Sequence, residues 1–330
     1  MSPPVGYAPA MAASPDDLVT IDAVRQATEL IRGRVKYTPL ATSASLSALW
    51  GGRLEFKAEL FQQTGSFKAR GILHKLLRLT PEQRARGAIT VSAGNAAAAL
   101  AWAARQAGTP ATVVMPATAV PAKIEAVRSY RAELILADGD LFGRYEQVRD
   151  ERGLTPVHPF DDLEVIAGHG SLALELLTER PEVDTVLVPV GGGGLISGVA
   201  TVLKTMLPSV RVIGVEPGTA DVISRSLASG TVERLPTARS VADGLAAPVA
   251  GVHTLAHVQR YVDEVVRVGE DAIVAATRLV IARTKLAIEP AAAAPLAALL
   301  EGSIRLHAGG LTIAVLSGGN LDVSTVLAGR

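Results

Sequence analysis

The sequence predicts an α/β protein built on two open, twisted, mostly parallel sheets with helices on both faces. From residue 88 onward, β-branched apolar runs alternate with segments of helical spacing, the pattern of parallel strands joined by crossover helices. The alternation comes in two series, so two sheets are expected. The length of 330 residues, 48% apolar and 19% charged, suffices for two compact units with substantial cores.

In the first series "AITVS" (88–92), "ATVVMP" (111–116), "AELILA" (132–137) and "TPVHP" (155–159) read as strands. Between them, 95–108, 120–130 and 141–153 have helical spacing, with glycine or a charged residue near each end. The second series runs as helix 164–179, strand 185–190, helix 195–206, strand 210–217, then strands 263–268 and 311–319. Sequential strands usually neighbour each other, so residues 85–161 are expected to form a small domain inserted in a larger one of residues 1–84 and 162–330. Residues 1–17 carry four prolines and no continuous apolar core, and read as a loose tail without an export signal.

Lysine plus arginine equals aspartate plus glutamate at 32 each, which removes a global electrostatic case for nucleic acid or an anionic membrane. There is no cysteine, so disulfides, thiolate catalysis and cysteine metal sites are excluded, and a reducing cytoplasm fits. The alanine-rich runs at 96–105 and 290–302 fall short of the roughly 20 apolar residues a membrane helix needs.

Ligand sites in open α/β sheets lie at the carboxyl ends of strands, so the following loops are the places to look for chemistry. "PVGGGGL" sets Gly191, Gly192, Gly193 and Gly194 between a strand and a helix, where bare amides and the helix dipole favour an anion. A tight turn rarely needs four glycines, and neither a Walker loop nor a G-x-G-x-x-G spacing is present. "VSAGNA" contributes Ser92, Ala93, Gly94, Asn95 and Ala96; it is either an ordinary helix cap or a carboxylate cradle. "LSGGN" places Ser317 at the end of a strand. "TGSFKARG" sets Lys68 after Phe67, and a lysine among apolar groups loses its proton readily and becomes a nucleophile toward carbonyls.

Together, "ELFQQTGSFKARG", "SAGN", "HPFDDLEVIAGHG", "PVGGGGL", "ADGL", "IEP" and "LSGGN" resemble the serine/threonine dehydratase and serine racemase family of fold type II pyridoxal-phosphate enzymes, over about Tyr37 to Asp322. The resemblance implies a tryptophan synthase β-like fold, with a large cofactor-binding domain and a small substrate-side domain. It implies pyridoxal 5'-phosphate as cofactor and Lys68 as its Schiff-base lysine. Phe67 would flank the ring, Gly191 to Gly194 hold the phosphate, Asn95 meet the ring hydroxyl, Ser317 face the ring nitrogen, and Gly244 and Glu289 line the ring. Ser66 and the loop Ser92, Ala93, Gly94, Asn95 and Ala96 would bind substrate. The implied activity is that of a lyase: β-elimination on a 3-hydroxy amino acid such as L-threonine or L-serine, giving a 2-oxo acid and ammonia. The implied enzyme is a cytoplasmic homodimer acting on a small molecule.

Three departures from the family pattern bear on this. Ala93 stands where serine racemases have a second serine, so dedicated racemization is not expected. Ala96 stands where most relatives have histidine, which admits a bulkier or acidic substrate, an aryl-serine or 3-hydroxyaspartate, or a cofactor-bound module without turnover. The divalent-metal pattern falls on Glu216, Ala220 and Val222, and valine cannot ligate, leaving Glu216 and Ala220 as weak candidates and no metal expected. Sulfhydrylase-type replacement enzymes usually have threonine in the glycine loop, and none is present here. The chain ends soon after "LSGGN", so a regulatory domain and isoleucine control are not expected.

Overall fold

The computed structural model describes residues 18–321, so the expected tail at 1–17 lies outside the described residues. Ten strands form: β1 (Leu40–Thr42), β2 (Arg53–Ala58), β3 (Ala88–Val91), β4 (Ala111–Pro116), β5 (Glu133–Ala137), β6 (Thr155–Pro156), β7 (Thr185–Pro189), β8 (Arg211–Pro217), β9 (Glu264–Val268) and β10 (Leu311–Leu316). They make a six-stranded sheet in the order β1-β2-β10-β7-β8-β9 and a four-stranded sheet in the order β5-β4-β3-β6. Every pairing is parallel except that of β1 with β2.

The helices are α1 (Ile21–Ile31), α2 (Ala44–Trp50), α3 (Lys68–Leu77), α4 (Pro81–Arg86), α5 (Asn95–Ala107), α6 (Pro121–Ser129) and α7 (Leu141–Arg152). They continue as α8 (Leu163–Glu179), α9 (Gly194–Met206), α10 (Val222–Ser229), α11 (Val252–Tyr261), α12 (Glu270–Thr284) and α13 (Pro290–Leu300). Both sheets are covered on both faces, which is why their strands read as unbroken apolar runs. Val186, Val188, Ile313 and Val315 enter a core with α1, α8 and α9. Their alternating neighbours Leu187, Ala314 and Leu316 enter a second core with α12 and α13. In the smaller sheet, Val113 and Met115 pack on α3 and α5, while Ile89 and Val114 pack under α7. Among the described residues no helix is long and apolar enough to cross a membrane.

The strand expected over "TPVHP" is shorter, Thr155–Pro156: Thr155 N and Val157 N donate to Gly87 O and Ile89 O, and Pro159, next in that alternation, has no N–H to continue the ladder. In β2, Glu55 and Lys57 point into protein rather than solvent, held by Arg180 at 2.9 Å and Glu175 at 2.7 Å. Around Lys57 lies a buried ionic cluster. Arg70 of α3 spans Glu59, at 2.8 Å to both oxygens, and Glu175 of α8, at 2.6 and 2.9 Å. Burial works to raise the Glu59 carboxyl pKa, but the Arg70 guanidinium overcomes it and holds it below the usual range. This cluster fixes the helix that starts at Lys68. Arg70→Ala would leave buried Glu59 without its ion-pair partner and Glu175 with Lys57 alone, and a loss of about 3–5 kcal/mol is expected in chemical denaturation. An unchanged midpoint would contradict this account of the cluster.

Candidate active site

The loops after β3, β7 and β10 and the start of α3 converge on one cleft of about 390 Å³. Lys68 and Phe67 line it from α3 and its cap; Ser92, Ala93, Gly94, Asn95 and Ala96 line it from the loop after β3. Gly191 to Gly194 line it after β7, and Gly244, Glu289 and Ser317 complete the walls. Ser66 lies outside this lining, buried, with no hydrogen-bond partner for its hydroxyl among the described residues.

Lys68 is the first residue of α3, reached through a sharp turn in which Thr64 and Gly65 take φ of 59° and 72°. Thr64 pays a strain cost that glycine would not. The turn is pinned because Phe67 N donates to Ser317 O at 3.0 Å. The ammonium of Lys68 sits 4.9 Å from the Phe67 ring centre and donates to Pro159 O at 2.5 Å. Burial pushes its pKa down to about 8, with the Glu289 charge working in the opposite direction.

Pro159 is held by its neighbours. His158 Nδ1 accepts from Phe160 N at 3.3 Å and Asp161 N at 2.7 Å, and burial lowers its pKa to about 4, so it serves as a neutral acceptor. Asp161 in turn caps α11, accepting from the amides of Val252, His253 and Thr254 at 2.9 to 3.1 Å. The "HPFDD" segment is therefore a brace that sets a carbonyl against Lys68. The other histidine of that stretch, His169, is buried edge-on to Phe67 at 4.7 Å between ring centres.

The glycine loop is an anion cradle. Gly193 takes φ of +90° to turn the chain into α9. Among the described residues, the amides of Gly191 to Leu195 donate to no protein oxygen, although Gly192 to Leu195 are buried. A buried helix start with unmatched N–H groups is costly unless an anion meets them. Side chains have no room there: a Cβ on Gly194 would lie 2.8 Å from Phe160 O and 2.9 Å from its Cα, and one on Gly191 2.9 Å from Leu245 Cα.

The loop before α5 offers a second set of donors. Gly94 N donates to Ser92 Oγ at 3.1 Å and Ser92 N to Val114 O, but the amides of Ala93, Asn95 and Ala96 have no acceptor among the described residues. Asn95 is locked by a network whose outer member the sequence reading quoted but left without a role. Asn320 Nδ2 donates to Thr64 O at 2.8 Å and to Asn95 Oδ1 at 2.7 Å. Asn95 must therefore present its amide nitrogen to Glu289 Oε1, at 2.7 Å, which leaves one N–H for a ligand. Burial raises the Glu289 carboxyl pKa to about 7. The sequence reading also missed the Lys123–Asp243 ion pair, which joins α6 to the turn at 243–245 on the wall of the cleft.

Glu216 and Ala220 lie elsewhere. The Glu216 carboxylate is buried and accepts from Ile223 N at 3.2 Å and Ser224 N at 2.8 Å, at the start of α10. Burial raises its pKa to about 7. Asp221 beside it pairs with Arg225 and Arg267. Among the described residues no cluster of His, Cys, Asp and Glu of metal-binding size occurs.

A cleft that combines an anion cradle, a lysine amine poised near neutrality and an amide with one free donor fits an enzyme that holds a phosphorylated aldehyde. Pyridoxal phosphate carries groups such a cleft could take together: a phosphate, an aldehyde and a ring hydroxyl. The chain belongs to the pyridoxal-phosphate dependent enzyme family, whose profile matches residues 31–318. An L-threonine ammonia-lyase of Geobacter sulfurreducens is 43% identical over 92% of this chain and 76% of its own length. A phenylserine dehydratase of Ralstonia pickettii is 40% identical, covering 88% of this chain and 90% of that protein. The structure of maize serine racemase superposes with a TM-score of 0.90 at 38% identity, covering 94% of this chain and 96% of that one.

Proposed function

We propose that the protein is an ammonia-lyase that dehydrates a 3-hydroxy amino acid, with L-threonine and L-serine as reference substrates, releasing a 2-oxo acid and ammonia. One observation carries the reading: a single cleft brings the Lys68 amine together with two separate sets of amides that have no acceptor among the described residues, those of Gly191 to Leu195 and those of Ala93, Asn95 and Ala96. Pyridoxal phosphate, when bound, supplies an electron-accepting ring that stabilises negative charge at the substrate Cα.

In this reading Gly191, Gly192, Gly193 and Gly194 would hold the phosphate, with Phe67, Gly244 and Glu289 lining the ring's site. Asn95, oriented by Asn320 and Glu289, would donate to the ring hydroxyl. Ser317 would face the ring nitrogen; a hydroxyl does not enforce protonation as a carboxylate would, which suits elimination over long-lived carbanion chemistry. The amides of Ala93, Asn95 and Ala96 bind the substrate carboxylate, and Ser92 shapes that turn through Gly94 N. Lys68 Nζ removes the Cα proton. Loss of water across Cα–Cβ and hydrolysis of the released enamine leave a 2-oxo acid and ammonia. The Ala93 methyl cannot exchange a proton from the opposite face, which weighs against racemization. The small domain of 85–161 would carry the substrate side, and 1–84 with 162–330 the cofactor side. We read the enzyme as a cytoplasmic homodimer, supported by the absence of cysteine and by its family likeness.

The test is 2-oxo acid release from L-threonine and L-serine, with D-serine formation followed in parallel. Release without D-serine is expected; a spectral response to substrate without product would reject turnover, and rapid D-serine formation would reject the lyase assignment. The pH profile follows from Lys68. Its neutral, proton-accepting form grows about tenfold per pH unit below the pKa of about 8 and levels above it. Turnover of threonine is expected to trace that limb, and a profile flat from about pH 6 to about pH 8 would contradict Lys68 as the base.

A further inference from the structure

We propose that the cleft selects a 3-hydroxy amino acid with a neutral aryl side chain over a small or an acidic one. This rests on the dehydratase reading and narrows its substrate class. Six apolar residues contributed by three separate elements line the space beside Lys68: Ala93 and Ala96 at the start of α5, Leu141 and Phe142 at the start of α7, and Ala246 and Ala247 after the turn at 243–245. Leu141 and Ala247 remain only partly buried, so the wall keeps apolar surface that a ligand can cover. A methyl group would leave most of it wet.

Charge points the same way. Among the described residues the charged groups on the walls are Lys68, Lys123, Asp243 and Glu289, with no arginine or histidine. Lys123 is neutralised by Asp243. The Glu289 carboxyl hydrogen-bonds Asn95, and Lys68 is reserved for the Cα proton. Asp140, next to Leu141, is spent as the α7 cap, accepting from Gly143 N at 3.0 Å. A side-chain carboxylate on the substrate would meet no free cation and two carboxylates, whereas an aryl ring would cover the exposed wall. The reaction on phenylserine balances: the Cα–H and Cβ–O bonds break, water leaves, and hydrolysis returns it to give phenylpyruvate and ammonia.

The holoenzyme would be compared on L-threo-3-phenylserine, L-threonine and L-threo-3-hydroxyaspartate. Phenylserine is expected to have a kcat/KM at least about tenfold above either of the others. Calorimetry with L-phenylalanine and L-aspartate, which lack the leaving hydroxyl, reads binding without turnover, and phenylalanine is expected to bind at least about tenfold tighter. Leu141→Arg should reverse both orders by supplying the missing cation. If the variant does not fold, the wild-type calorimetric ratio still decides. Threonine or 3-hydroxyaspartate as the better substrate, or aspartate as the tighter ligand, overturns the aryl assignment while the dehydratase reading stands. Turnover of none of the three overturns both.

Discussion

Lys68→Ala is expected to lower turnover of every substrate by about 10,000-fold or more while leaving the fold intact. Two structural facts separate the chemical loss from a structural one. The Lys68 side chain makes one hydrogen bond, to Pro159 O, and that carbonyl is already positioned by the His158 and Asp161 contacts around it. The helix it begins is anchored by Arg70 rather than by Lys68 itself. Thermal unfolding should therefore shift little, and a small primary amine added to the variant should restore a fraction of the rate by replacing the missing proton acceptor. A variant that keeps more than a few per cent of wild-type turnover would end the assignment.

Gly194→Ala is the second large effect expected, and it acts on cofactor affinity. The added Cβ would meet the Phe160 carbonyl oxygen at 2.8 Å and its Cα at 2.9 Å, backbone atoms that cannot swing aside. Relief requires the loop or residue 160 to move, and either movement spoils the row of amides from Gly191 to Leu195. Loss of two charge-assisted hydrogen bonds is worth about 3 kcal/mol, which is about 100-fold in the dissociation constant of pyridoxal phosphate. Equilibrium dialysis of the cofactor reads this directly. Addition of excess cofactor should recover part of the activity; unchanged affinity would mean that the phosphate is held elsewhere.

Much of this architecture was legible in the chain because strands covered on both faces are written as continuous β-branched runs. β4 spans the expected 111–116, and β7 and β8 end or begin within one residue of expectation. β1 and β2 were not legible. In "RLEFKA" the charged residues alternate as in a surface strand, yet Glu55 and Lys57 are buried, and only the distant partners Arg180 and Glu175 make that tolerable. Such compensation by distant residues has no local signal. The same limit applies within the site. The glycine run announces a cradle by its composition. The orientation of Asn95 depends on Asn320, 225 positions away, and the placing of Pro159 O depends on a histidine whose role is to accept two amides. A lysine next to a phenylalanine looks the same in sequence whether it is solvated or buried, and its lowered pKa arises only once α3 is packed against the cleft.

The central claim is that Lys68 holds the cofactor through its amine. The direct measurement is borohydride reduction of the purified holoenzyme, which fixes a reversible lysine–aldehyde bond, followed by proteolysis and peptide mass analysis. The cofactor's mass is expected on the peptide containing Lys68 and on no other. Label on Lys123, the other lysine lining the cleft, or on no peptide at all, would contradict the account.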